Sequence, residues 1–510
     1  MTDSNKKTGQ KLKTNQNLKT DQNLRPEILN LKPEIQDLEK QLIAHFPYKK
    51  FQGEQKQILS LVMDGKSVLA LMPTGGGKSL TYQFPALLNQ KPGYLVLVLS
   101  PLIALMSDQT EKAKELGIRA TFINSSLSKE ERERRLNNLS QLQLLFVTPE
   151  RFRSPDFIKA LTQVHVFLLA IDEAHCISQW GHDFRPDYSK IAEIRKILGS
   201  PPVLALTATA TPEVQKDIID QIQIQEAQIL HGGLKRDNLN LEVQEVFGLD
   251  QKIEKILEIQ QSSSGVGIVY CSLVETVKKI YQRLESKNIS KLWTYYGDMK
   301  PQYKEKALKE FIRSEKGIML ATPAFGLGID KPDIRWVVHG ELPGSLEAYF
   351  QEVGRGGRDG LPARGVLLYD QDDVEIQMEF LKWSHPHISF LLELYRLVKE
   401  RSLELEQGGF EYLRNRMNYK NRRDYRSEAG VRILVRLGYV AQVETQGTLF
   451  PYVAIEDPDT GILQNQVSED HLKNQQKKLL EMVRYANQGV ENQGSELDLK
   501  KIIYKYFGVF

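Results

Sequence analysis

The chain has 510 residues, 41% of them hydrophobic and 26% charged, with a net charge of +3 and two cysteines, Cys176 and Cys271. No apolar run of ~18 residues and no apolar N-terminal core occur, which argues against membrane-spanning and exported classes and for a cytoplasmic one. The cysteine count excludes a disulfide framework and a four-cysteine zinc site, and with so small a net charge any binding of polyanions must come from local patches.

Residues 1–36 are polar and contain a threefold hexad, Thr8-Gly9-Gln10-Lys11-Leu12-Lys13 followed by related repeats at 14–19 and 20–25. One leucine per six residues buries too little surface to offset ordering entropy, so a disordered tail is expected. Leu38, Leu42 and Ile43 recur at helical spacing, and a second helix is predicted through Ile58, Leu61 and Val62. Between them lie Tyr48, Phe51 and Gln55. An aromatic and a glutamine here can stack on adenine and read its edge through the amide.

The apolar run Val68-Leu69-Ala70-Leu71 then feeds Met72-Pro73-Thr74-Gly75-Gly76-Gly77-Lys78-Ser79. This is the pattern of a strand, a phosphate loop and a helix start. The glycines let backbone N–H groups converge on phosphate oxygens, Lys78 brings a point charge, and the Ser79 hydroxyl can ligate Mg²⁺. Met72 stands where the strict pattern has glycine. The loop predicts binding of a nucleoside triphosphate such as ATP.

Further apolar runs at 95–99, 144–147, 166–171 and 203–206 each end in a polar cluster: Ser100-Pro101, Thr148-Pro149-Glu150-Arg151, Asp172-Glu173-Ala174-His175 and Thr207-Ala208-Thr209. Continuous apolar strands with helices between them predict a parallel sheet covered on both faces, with chemistry at the strands' C-terminal ends. Asp172, directly after a buried strand, is placed to hold Mg²⁺, and Glu173 to orient and deprotonate water. The loop that follows carries Trp180, Phe184, Arg185 and Tyr188. It is expected to be exposed, with its aromatics stacking on unpaired bases.

A second α/β unit follows Gly232-Gly233 and Arg236, with strands expected at 267–271, 291–296 and 317–322. It has no phosphate loop. Instead, Gln351-Glu352-Val353-Gly354-Arg355-Gly356-Gly357-Arg358 sets two arginines three apart, where they can reach a γ-phosphate across a cleft as arginine fingers. Toward the C-terminus, a helix at 429–437 closed by Gly438 and a hairpin about Gln446-Gly447 suggest a winged helix. Residues 412–426 carry six arginines and lysines that could approach phosphates.

The ordered strings at 72–80, 99–109, 146–151, 172–188, 205–211, 321–332 and 351–363 resemble the motifs of superfamily 2 helicases. D-E-A-H followed by C-I-S-Q-W-G-H-D-F-R-P-D-Y, together with A-F-G-L-G-I-D-K-P, resembles the RecQ family. The resemblance implies an α/β fold of two tandem RecA-like domains, with ATP in their cleft and single-stranded DNA across their top. It implies ATP-driven 3′-to-5′ translocation and duplex unwinding in replication, recombination or repair. On the matching residues, Tyr48 and Gln55 would contact adenine, and Thr74, Gly75, Gly76, Gly77, Lys78, Ser79, Gly328 and Asp330 would line the nucleotide site. Asp172, Glu173, His175, Gln351, Arg355 and Arg358 would serve hydrolysis, while Ser100, Arg151, Trp180, Phe184, Arg185 and Tyr188 would meet DNA.

The implied organisation is a tail at 1–36, an ATP-binding domain at 37–233, a second lobe at 234–375 and a mainly helical accessory region at 376–510. No cysteine follows Cys271, so the zinc segment usual in the family is not expected. Gln52 stands where the family has arginine, Cys271-Ser272-Leu273 lacks a basic residue, and Tyr295-Tyr296-Gly297-Asp298 replaces Tyr-His-Ala-Gly. Expected partners are single-stranded and duplex DNA and single-strand-binding or repair proteins, met by a monomer in a bacterial-type nucleoid.

Overall fold

A computed structural model describes residues 37–509, apart from 74, 102, 125–126, 179–185, 233–234, 288, 290, 327–330, 418–425, 444–448 and 493–497. The hexad tail, Thr74, Trp180, Phe184, Arg185, Gly328, Asp330 and most of the basic stretch before Arg426 lie outside the described residues.

The apolar runs form two parallel sheets. The first holds β1 (Val68–Leu71), β2 (Tyr94–Leu99), β3 (Ala120–Ile123), β4 (Leu144–Val147), β5 (His165–Ile171), β6 (Val203–Thr207) and β7 (Gln228–His231). Their spatial order is β3-β4-β2-β5-β6-β1-β7. Successive residues point to opposite faces, so Leu69 and Leu71 enter one core while Val68 and Ala70 enter another. Helices cover both faces, as the unbroken apolar pattern requires. The register pairs Leu71 with Thr207 and Leu99 with Ile171. The loops after these four residues therefore gather along one edge of the sheet.

The second sheet holds β8 (Leu239–Glu245), β9 (Val266–Tyr270), β10 (Leu292–Tyr295), β11 (Gly317–Ala321), β12 (Ile334–His339) and β13 (Ala363–Tyr369), in the order β10-β11-β9-β12-β13-β8. Two parallel-sheet domains joined by a short connector agree with the expected fold class.

Helix Asp373–Ser384 leads out of the second sheet and crosses position 375. Helix Ile388–Glu400, the segment Ser402–Met417 broken by a kink at Gly409, and helix Arg426–Arg436 then pack with an antiparallel pair, β14 (Val440–Gln442) and β15 (Tyr452–Ala454), around Leu391, Leu394, Leu434 and Phe450. Helix Arg426–Arg436 is followed by Gly438, whose φ of +81° suits a residue without Cβ. Helix and antiparallel pair follow one another in the order expected from the sequence.

The last two helices, Glu469–Glu491 and Leu499–Tyr506, pack elsewhere. Leu479, Met482, Tyr485, Ile503 and Phe507 share a continuous core with Val214 and Ile218 below the first sheet and with Val243, Tyr349 and Phe350 of the second. Lys478 forms a buried ion pair with Glu347, Nζ to Oε1 at 3.2 Å. The end of the chain thus returns to the motor. Among the described residues no helix is long and apolar enough to cross a membrane.

Candidate nucleotide and nucleic-acid site

The phosphate loop hangs between β1 and helix Lys78–Leu88. Met72 N–H still donates to Thr207 O at 2.8 Å, extending the sheet by one residue before the chain turns. Gly75 and Gly77 then take φ of +82° and +72°, a region where a Cβ would collide with the backbone. Gln55, buried at the start of helix Gln55–Met63, clamps the turn from outside. Its Nε2 donates to Gly76 O at 3.1 Å and Gly77 O at 3.4 Å, while its Oε1 accepts from Gln52 N at 2.9 Å. The amide expected to read adenine here braces the loop. Tyr48 lies nearby in the chain and is half-exposed.

The acidic cluster faces this loop. Asp172 N–H donates to Leu99 O at 2.8 Å, which fixes the end of β5 beside β2. Glu173 adopts φ 50°, ψ 49°, a left-handed conformation rare for a residue with a side chain and a form of strain that clusters at working sites. That turn swings its carboxylate back so that Oε1 lies 3.4 Å from Lys78 Nζ and Oε2 lies 3.3 Å from His175 Nδ1. His175 Nδ1 is also 3.1 Å from Thr207 Oγ1, which donates to Thr209 O at 3.2 Å. A polar chain therefore links Lys78, Glu173, His175 and the Thr207–Thr209 segment.

Burial pushes the Asp172 carboxyl up to about 6, reinforced by the Glu173 charge and opposed by Lys78. Ser79 Oγ donates to Gln109 Oε1 at 2.9 Å. Tyr82 is buried nearby, and its phenol is pushed up by burial and by the Asp172 charge, opposed by the Ser79 hydroxyl. A hydroxyl and a carboxylate held near one buried ring form a donor set that suits a hard, oxygen-seeking cation.

The second sheet supplies the opposite wall. Ser345 caps helix Leu346–Val353 by accepting from Ala348 N at 3.2 Å, and the helix runs into the loop that bears Arg355 and Arg358. Gln351 lies on this helix and is partly exposed. Arg355 is only 3% exposed. Its guanidinium lies by Gly326 and Tyr270, and the Tyr270 hydroxyl donates to Phe325 O at 2.7 Å. Beneath it, His339 Nε2 and Glu352 Oε2 meet at 2.8 Å. The stem of Arg358 rests on Gly75 of the first lobe. A cavity of about 150 Å³ opens between Pro73, Gly75, Gly76, Arg236 and Arg358, so both lobes line it.

The residues expected to meet DNA are less uniformly placed. Tyr188 is 0% exposed, packed in the first-sheet core. This corrects the expectation of an exposed stacking ring there. The physical reason is an anchor next to it: Asp187 receives both Nε and Nη2 of Arg153, at 2.9 and 3.0 Å, which pins the end of the loop to the domain. Ser100 is buried at the end of β2, and Arg151 is partly buried after β4. Sequence reasoning missed Gln109 and Asn238, and it noted Arg236 only as a boundary mark. Gln109 lay inside a quoted motif, but its pairing with Ser79 depends on tertiary placement.

Residues 52–218 match the DEAD/DEAH box helicase family and residues 250–360 match the helicase conserved C-terminal domain. The chain is 38% identical over 364 residues to the probable ATP-dependent DNA helicase RecS of Bacillus subtilis, a match covering 71% of this chain and 73% of that protein. It is 42% identical over 348 residues to the ATP-dependent DNA helicase RecQ of Bacillus subtilis, covering 67% of this chain and 58% of that one. Among solved structures it resembles Mycobacterium smegmatis helicase Lhr bound to single-stranded DNA and AMP-PNP, with a TM-score of 0.52 at 19% identity over 67% of this chain and 49% of that chain. That likeness shows a shared helicase fold. With a phosphate loop and acidic cluster on one sheet, two arginines on the other and relatives at this identity, the chain belongs to the RecQ family of ATP-dependent DNA helicases.

Proposed function

We propose that the protein hydrolyses ATP to move 3′-to-5′ along single-stranded DNA and to separate duplex strands. The observation that carries this is the contact of Arg358, on the second lobe, with Gly75 in the phosphate loop of the first. A hydrolysis site assembled from two lobes makes catalysis depend on their relative position, and this dependence lets a chemical cycle become movement.

In this reading residues 37–233 are the ATP-binding lobe, 234–375 the second lobe and 376–510 an accessory region that meets DNA. Ser79 and Asp172 would hold Mg²⁺, which neutralises phosphate charge when bound. Lys78 draws the phosphates into the loop, and in doing so it leaves Glu173, its partner at 3.4 Å. Glu173, released from that ion pair, takes the proton of the attacking water. His175 and Gln351 tie this site to the DNA-facing edge and the neighbouring lobe, and Arg355 and Arg358 stabilise the charge that develops on the transferred phosphoryl group. Tyr48 is assigned to the adenine and Gln55 to both loop and base. Thr74, Gly328, Asp330, Trp180, Phe184 and Arg185 keep the roles that the resemblance implies. The protein acts as a monomer on single-stranded and duplex DNA in the cytoplasm.

The test compares wild type with Lys78→Ala for ATP hydrolysis with and without single-stranded DNA, and for unwinding of a duplex with a 3′ overhang. DNA-stimulated hydrolysis and unwinding, both lost in the variant, are expected. Stimulated hydrolysis without unwinding would reduce the protein to a translocase, and no hydrolysis would overturn the reading.

A further inference from the structure

The connector between the sheets does more than join them. Arg236 reaches from it into the loop that carries Arg355 and Arg358. Its Nη1 donates to Gly354 O at 3.1 Å, and its Nη2 donates to Gly356 O at 2.6 Å and Gly357 O at 3.1 Å. Asn238, two residues on, donates from Nδ2 to Gly357 O at 2.7 Å and to Leu361 O at 2.8 Å. Four loop carbonyls are thereby turned toward the connector. Arg355 and Arg358 sit among these same peptide units, so the carbonyl directions set where their side chains leave the backbone. The planar fork sets two nitrogens apart at a fixed spacing, so Nη1 and Nη2 meet the carbonyls of Gly354 and of Gly356 and Gly357 in one rigid geometry.

Arg236 is itself held from the far end of the chain. Its backbone N–H donates to the Tyr504 hydroxyl at 2.8 Å, on helix Leu499–Tyr506. Directly after that helix, Phe507 O accepts from Gln215 Nε2 at 3.3 Å, on helix Pro212–Ile222 of the first lobe. The Phe507 ring lies 5.6 Å from that of Phe350, on the helix leading into the arginine loop. The short helix Leu499–Tyr506 and the Phe507 that follows it thus touch the first lobe, the connector and the helix leading into the arginine loop.

We propose that Arg236 is the positioning residue for the Arg355 and Arg358 pair and that Tyr504 anchors it, so that the rate of hydrolysis depends on the last helix of the chain. The inference rests on the ATP-hydrolysis reading above. Neither residue need touch nucleotide; both act through the loop.

The experiment uses the full chain carrying Arg236→Lys or Tyr504→Phe. It measures kcat and KM for ATP with saturating single-stranded DNA, affinity for a fluorescent ADP analogue, and thermal melting. Lysine offers one flexible ammonium in place of two nitrogens held at a fixed spacing, and an ångström of misplacement costs about 100-fold in rate, so Arg236→Lys is expected to lower kcat by about that factor. The KM for ATP should stay within about threefold and the melting point near wild type, the pattern of a transition-state loss. Tyr504→Phe, which removes one hydroxyl, should lower kcat by about threefold to tenfold with the same unchanged KM. Wild-type kcat in either variant, or a fall in kcat matched by a fall in melting point and analogue affinity, would overturn the proposal. If wild type shows no DNA-stimulated hydrolysis, the failure belongs to the ATPase reading instead, and the variants' unchanged melting and analogue binding would mark it so.

Discussion

Arg358 of the second lobe lies against Gly75 of the phosphate loop so closely that a Cβ added to Gly75 would come within 2.7 Å of Arg358 Cδ. Gly75 also has φ of +82°, so a side chain there meets both a strained backbone and the opposite lobe. Gly75→Ala is therefore expected to cost about 1–2 kcal/mol of stability from the backbone alone. It should also push the arginine off the loop and lower hydrolysis at least about tenfold. Urea unfolding and steady-state kinetics on the same preparation check both halves.

Asp172 gives a dependence on pH. Its folded carboxyl is pushed up to about 6 by burial and by Glu173, above the ordinary carboxylate value of the unfolded chain. The folded state therefore holds the proton more tightly. The contribution to stability is fully present below about pH 4 and is lost as pH rises through about 6. Asp172→Asn removes the buried charge, so at neutral pH it should unfold later than wild type, by on the order of 3 kcal/mol. Near pH 4 the two should converge. Hydrolysis should be abolished throughout, and melts at the two pH values test the sign.

Gln55 donates to two loop carbonyls and accepts from Gln52 N. Gln55→Glu keeps the shape but sets a carboxylate oxygen against those carbonyls, leaving buried acceptors facing each other. A rise of about tenfold in the KM for ATP is expected, with a smaller rise for Gln55→Ala, because truncation only removes the brace. Equal effects in the two variants would argue for a direct contact with nucleotide instead.

The buried ion pair of Lys478 and Glu347 fastens the long C-terminal helix to the helix that leads to the arginines. Glu347→Ala strands the lysine charge and should destabilise the fold by about 3–5 kcal/mol. The double replacement Glu347→Leu with Lys478→Met should recover much of that loss. Denaturant midpoints of the single and double variants decide it.

The strands, the phosphate loop and the Asp172-Glu173 turn were legible because each is a local string: an apolar run, then the residues whose chemistry the strand end displays. Tyr188 was misjudged because composition suggested an exposed loop, while the Arg153–Asp187 pair that anchors it joins residues 34 apart. Arg236 was illegible as a brace, since its acceptors are backbone carbonyls some 118 to 121 positions later and leave no side-chain signature. In the last two helices, apolar residues such as Leu479, Met482 and Ile503 carry no mark of which core they enter. Their return to the motor depends on partners such as Val243 and Phe350.

In the proposed mechanism, two arginines from one lobe complete a hydrolysis site on the other. The most direct measurement is single-turnover ATP hydrolysis by Arg358→Lys with single-stranded DNA bound, alongside nucleotide affinity. A loss of about 10³-fold in rate with affinity close to wild type is predicted. Hydrolysis at the wild-type rate would contradict the account.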